Sequence, residues 1–200
     1  PVKEIKWTAP KPSRAIDRRR VANPIQVRTF LEQVQSTKHS GPRLYACYAA
    51  MYFSALRPEE AVNLNVNHVR LPEPTWNKAR NEWQCEWGEI YVEEATPHAG
   101  GAWTDSGKPR DRRGLKHRER GEGRHVPAPP ELVAILREHL GRFGTGPGGE
   151  LFVGERGGEV PAITWHRVWR AARAATFTAP VAASPLLGRP YDLRHAAVST

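Results

Sequence analysis

The sequence is short of cysteine and methionine and has no long hydrophobic run, and each shortage removes a class of protein. Cys47 and Cys85 are its only cysteines, 38 residues apart. That spacing gives neither a paired-cysteine zinc site nor a disulfide scaffold, and it fits two reduced thiols in an intracellular protein. The eight histidines include no i, i+4 pair beside a carboxylate, so no metal or other cofactor is expected. No stretch approaches the roughly 18 continuous apolar residues of a membrane span, and no charged start leads into an apolar secretion signal. No membrane partner is expected. The 18 prolines and 17 glycines follow no period, which excludes collagen and points to a loop-rich domain. The single methionine is Met51: the chain opens on Pro1 and stops at Thr200 inside a helical pattern, so a fragment of a longer protein is expected.

Positive charge is in surplus. Thirty Lys and Arg face 21 Asp and Glu, a net charge of +9. The surplus is clustered. Residues 1–20 hold Lys3, Lys6, Lys11, Arg14, Arg18, Arg19 and Arg20, and residues 108–125 hold Lys108, Arg110, Arg112, Arg113, Lys116, Arg118, Arg120 and Arg124. Clustering of this kind favours a nucleic-acid partner, with a solvated basic surface as the other reading.

Residues 1–20, with Pro1, Pro10 and Pro12 and no helical period, read as an extended linker. Apolar residues at Ile25, Val27, Phe30, Leu31 and Val34 predict a helix over 24–38. Gly41-Pro42 opens a second helix, apolar nearly all round and therefore buried. Arg57 precedes Pro58 and so sits at a turn before a short helix. Trp83, Cys85 and Trp87, then Ile90 and Val92, predict a strand pair about a tight Trp87-Gly88-Glu89 turn. Residues 96–123 read as a long polar arm. A strand over Arg124–Pro127, an amphipathic helix over 130–143, another over 163–176 and a last one from Tyr191 follow, with 180–190 irregular. The class is α+β, mainly helical, with a small antiparallel sheet.

Three segments place cations at the edges of these elements: Ala55-Leu56-Arg57-Pro58-Glu59-Glu60, Lys116 ahead of Arg124-His125-Val126-Pro127, and Tyr191-Asp192-Leu193-Arg194-His195. In this order and spacing they resemble the tyrosine recombinases, the phage-integrase type of site-specific DNA recombinase. The first is similar to the box with the family's first catalytic Arg and an acidic residue three positions on. The second is similar to its lysine hairpin before an Arg-x-Val-Pro strand. The third is similar to its His-x-x-Arg box, with Tyr191 where His is usual. The resemblance spans roughly residues 20–200, with 1–20 as a basic interdomain linker and 21–200 as the DNA breaking-rejoining catalytic domain, incomplete at its C-terminus.

The resemblance implies roles. Arg57 and Arg194 would clamp a scissile phosphate. The lysine, Lys116 or alternatively Lys108, would protonate the leaving 5′-hydroxyl. Tyr191 would donate a hydrogen bond to the phosphate. Glu60 would orient Arg57, unless it is an ordinary solvated helix residue, and His195 would stand behind Arg194. Arg110, Arg112, Arg113, Arg118, Arg120 and Arg124 would follow the DNA backbone, which positions a protein without reading sequence; the other reading of this arm is solvated surface. The family's nucleophilic tyrosine lies beyond the third box, so this chain alone is not expected to cut DNA. The implied partner is double-stranded DNA, with the full-length protein a tetramer on paired sites, in the cytoplasm on the nucleoid of a bacterium or carried by a phage or other mobile element. The alternative function is a recombinase-like DNA-binding module without chemistry.

Overall fold

The computed structural model describes residues 16–97, 102, 104, 107, 110, 113–115 and 121–199. Three helices open the chain: α1 (Pro24–Ser36), α2 (Gly41–Phe53) and the short α3 (Pro58–Ala61). Strands β1 (Val69–Arg70), β2 (Thr75–Asn77), β3 (Glu82–Gln84), β4 (Gly88–Val92), β5 (Glu94–Ala95), β6 (Arg113–Gly114) and β7 (Arg124–Ala128) follow. Helices α4 (Pro130–Phe143), α5 (Ala162–Thr176), α6 (Ala179–Ala183) and α7 (Tyr191–Ser199) complete the order.

Local chemistry sets the helix ends. Asn23 caps α1: its side chain accepts from the Gln26 amide at 2.9 Å while the Gln26 side chain accepts from the Asn23 amide at 3.0 Å. Pro24, Pro42, Pro58 and Pro130 each stand in the first turn of a helix, where the missing N–H costs nothing. Gly144 ends α4 at φ +65°, a conformation that suits glycine.

Helix α2 is the centre of the molecule. Leu44 and the run from Ala46 to Tyr52 are buried, and the helix packs against α1, α4 and α7. Phe30 of α1, Tyr48 of α2 and Trp169 of α5 form an aromatic cluster with ring centroids 4.5–6.5 Å apart. Trp165 meets Tyr48 edge-on at 5.3 Å. Such pairs add about 0.5–1.5 kcal/mol each beyond area burial.

The main sheet is antiparallel, in the order β1-β4-β7. Ile90 lies opposite Val126 and Val92 opposite Arg124. Pro127 is tolerated because β7 is an edge strand. Here the structure differs from the sequence expectation. Gly88 is not a hairpin turn but the first residue of β4, paired with Ala128. A Cβ on it would lie 2.6 Å from the Arg70 carbonyl oxygen and 2.8 Å from a Val133 methyl, so glycine is needed for close packing. The hairpin instead joins β2 to β3. Its turn is made by Asn77, whose side chain accepts from the Ala79 and Arg80 amides, and by Asn81 at φ +55°.

Two further segments differ. Residues 180–183, expected to be irregular, belong to α6 (Ala179–Ala183). Arg18–Arg20, expected to be extended linker, form a 3-10 turn capped by Asp17, and the Arg20 carbonyl accepts from the Leu187 amide at 3.2 Å. Among the described residues no helix is long and apolar enough to cross a membrane.

Candidate active site

Arg57 is the N-cap of α3 and enters it in an extended conformation (φ −70°, ψ 151°), as a residue before proline must. The chain arrives there through Ala55, which sits at φ +48°, a left-handed conformation costly for a residue with a side chain. This tight corner between α2 and α3 turns the Ala55 carbonyl outward, where it accepts from the Arg194 guanidinium. Helix α7 packs on α2, so Arg194, 139 positions along the chain, arrives two residues from Arg57.

Glu60 sits in α3 with no exposed side-chain surface, which excludes the solvated-residue reading. One oxygen accepts from the Arg57 backbone amide at 2.8 Å and the other from Arg57 Nη1 at 2.9 Å. Arg124, at the start of β7, forks onto the same carboxylate with Nη1 at 3.0 Å and Nη2 at 2.8 Å. Burial alone would raise the Glu60 pKa, but the two arginines outweigh it and hold the carboxyl below its ordinary range. Burial likewise works against the Arg57 charge, and the Tyr191 side chain and Glu60 overcome it, so Arg57 is held firmly cationic.

Tyr191 opens α7 and thus faces Arg57 from the other side. Its ring packs against His195 one turn later, centroids 4.9 Å apart, and the Arg189 guanidinium lies 5.7 Å from the ring centre. Burial comes first in pulling the His195 pKa below its ordinary value; the charges of Arg189, Arg194 and Arg20 add to this, and Asp192 opposes it. His195 is therefore neutral at neutral pH. Asp192 is fully buried, 3.4 Å from Arg189 Nε and 3.7 Å from an Arg20 nitrogen, and accepts from the Arg189 amide at 3.1 Å.

The structure thus brings together Arg57, Glu60, Tyr191, Arg194 and His195. It also brings in Arg124, which the sequence pattern groups with the outward-facing arm. Arg110 lies apart: Nε pairs with Glu159 at 2.8 Å and Nη1 donates to the Thr96 carbonyl at 2.7 Å. Arg113 is exposed on β6 beside β5. Lys116, the alternative Lys108, and Arg112, Arg118 and Arg120 lie outside the described residues.

Sequence reasoning misses two partnerships. Arg124 to Glu60 spans 64 positions and leaves no local signal. Asp192 reads in the sequence only as a carboxylate near a helix start, while the structure makes it the anchor of Arg189 and Arg20. A signal for the Arg57–Glu60 contact does exist: proline at the first helical position and Glu two residues later is a capping-box pattern.

The cluster joins three guanidiniums with one carboxylate. Arg57 gives only one side-chain nitrogen to Glu60. A planar guanidinium that gives one nitrogen to Glu60 and also meets the Tyr191 side chain, beside a second guanidinium, suits a tetrahedral oxyanion such as a phosphodiester.

No family model matches the sequence, and no curated protein does. Solved structures do match its fold. The Tn1549 transposon integrase in complex with transposon right end DNA superposes with a TM-score of 0.58 at 16% identity, over 90% of this chain and 52% of that one. The same integrase in complex with circular intermediate DNA gives 0.59 at 16%, over 90% and 53%. The XerH site-specific recombinase bound to its difH substrate gives 0.54 at 14%, over 90% and 42%. The chain therefore spans about half the length of these structures. With its central buried helix, small antiparallel sheet and closing helix in that order, the chain has the fold of a tyrosine-recombinase catalytic domain.

Proposed function

We propose that this chain is the catalytic portion of a site-specific tyrosine recombinase or integrase that acts on double-stranded DNA. The observation that carries the reading is the meeting of Arg57, at the corner between α2 and α3, with Tyr191 and Arg194 of α7, from a distant part of the sequence. Phosphoryl transfer needs little from a protein beyond a nucleophile and positioned charge. Arg57 and Arg194 would hold the non-bridging oxygens of the scissile phosphate. Tyr191 would donate to the same phosphate through its phenol O–H. Lys116 would protonate the leaving 5′-hydroxyl, and Arg113 would meet the backbone beside it. The nucleophile would be a tyrosine that follows α7 in a protein of the length of the neighbours, and assembly would be a tetramer on paired sites.

The test is covalent attachment. The protein carrying this chain, extended to the length of its structural neighbours, is incubated with duplex DNA from the junctions of its own genetic element. A denaturant-resistant protein–3′-phosphate adduct is expected. Arg194→Ala should lower its formation by about 100- to 1000-fold, as the loss of one transition-state donor does. Undiminished attachment by this variant would refute the assignment of Arg194, and a wild-type protein that binds DNA without any adduct would favour a binding module.

A further inference from the structure

Glu60 offers two oxygens and is approached by two arginines. Arg124 takes both oxygens through its fork, one Nη on each. Arg57 keeps a single side-chain bond to Glu60, Nη1 to one oxygen, while its backbone amide holds the other and its side chain also meets Tyr191. Neither arginine could be bidentate if the other were. A carboxylate and a guanidinium left alone in a buried site close into the two-bond fork, because that geometry is the strongest available to them. Arg124 occupies both oxygens that such a fork on Arg57 would use.

We infer that Arg124 is a positioning residue: by occupying Glu60 with its own fork it keeps Arg57 on Glu60 by one side-chain bond, so that the rest of the Arg57 guanidinium stays turned toward Tyr191 and the substrate phosphate. This rests on the recombinase reading of the cluster. It also separates Arg124 from the arm cations. Both terminal nitrogens of Arg124 are taken by Glu60, its side chain is 22% exposed, and Val126 and Ala128, with which it alternates along β7, turn toward the interior while His125 and Pro127 turn outward. The strand supports the placement: Arg124 is held in register with Val92 of β4. Arg57 is placed by a proline-bound turn and Arg124 by a sheet, so one carboxylate ties the two frameworks together. A charged group that sits by its own phosphate contacts would change affinity; one that sets the direction of another changes rate.

The experiment compares Arg124→Lys, Arg124→Met and the double variant Arg124→Met/Glu60→Gln in the same attachment assay, with duplex binding measured in parallel. The double variant also removes the carboxylate that Arg124→Met leaves with Arg57 as its arginine partner, and so keeps the test open should the single variant lose its fold; thermal melting of each variant verifies folding. The expected result is an attachment rate lowered about 100-fold in both Met variants, the scale of a misplaced catalytic group, with half-saturating DNA unchanged. Arg124→Lys, which keeps the charge and loses the fork, should fall between. A folded double variant with the wild-type rate would overturn the inference, as would a loss confined to DNA affinity. A second readout needs no activity. In the 200-residue chain with labelled arginine, the Arg57 side-chain resonances should shift in Arg124→Lys and in the double variant before any DNA is added. Unmoved Arg57 resonances refute the positioning role whatever the protein does to DNA. Shifted resonances in a chain whose longer form never attaches to DNA refute the recombinase reading instead.

Discussion

Replacing Glu60 with Gln keeps the side chain's shape and removes its charge. Glu60 receives four hydrogen bonds, at 2.8, 2.9, 3.0 and 2.8 Å, all from Arg57 and Arg124. In the variant one amide oxygen still accepts, but the amide nitrogen faces N–H donors, and two guanidiniums lose their counter-charge. Breaking a buried ion pair by removing one partner costs about 3–5 kcal/mol. The side chains of Arg57 and Arg124 are 24% and 22% exposed and can rehydrate in part, which puts the expected cost near the lower bound, about 3 kcal/mol. For a domain of this size that lowers the Tm by about 6–12 °C. The pH dependence has a definite sign. The folded carboxyl titrates below its ordinary 4.5, so its stabilisation is fully present above pH 4.5 and is lost as pH falls through the folded value. Urea unfolding of wild type and Glu60→Gln at pH 7 and at steps below 4.5 checks both parts. The gap should be widest at neutral pH and close in acid, where the wild-type carboxyl takes up its proton. A gap under about 1 kcal/mol at pH 7, or one that stays constant through the acid range, would refute the reasoning.

Other consequences follow from the packing. Trp169 is 3% exposed, lies 4.5 Å from Phe30 and donates to the Leu187 carbonyl, so Trp169→Ala should cost about 3–5 kcal/mol in urea unfolding and Trp169→Phe clearly less. Gly88→Ala should cost about 1–3 kcal/mol in the same measurement, because its methyl meets the Arg70 carbonyl and Val133, whereas Gly141→Ala, with open space at its Cβ, should not destabilise. Cys47 is fully buried and burial pushes its thiol far above the ordinary range, so a thiol reagent should label only Cys85 in the native protein and both cysteines in urea; rapid native labelling of Cys47 would contradict the buried α2.

Much of this protein is legible in its amino-acid sequence, and the reason is local. Helices α1, α4 and α5 show in the sequence because one apolar stripe recurs with the helical period, and the starts of α1 and α4 show because proline and Asn23 are tolerated or favoured there. The boxes around Arg57 and Arg194 are likewise local, each a few residues beside a helix end. Gly88 misleads because glycine serves turns and close approaches alike, and only the presence of Arg70 and Val133 against its α-carbon says which.

What the sequence by itself determined is the order of elements, the basic character and the residue types able to grip a phosphate. What only the tertiary structure decided is which of those residues meet. Arg194 reaches the Ala55 carbonyl because α7 lies on α2, and Arg124 turns to Glu60 because the register of β7 on β4 points it inward. Both are contacts between segments far apart in the chain, chosen by the packing of a shared core and by the need of a buried carboxylate for partners. No window of neighbouring residues carries that information.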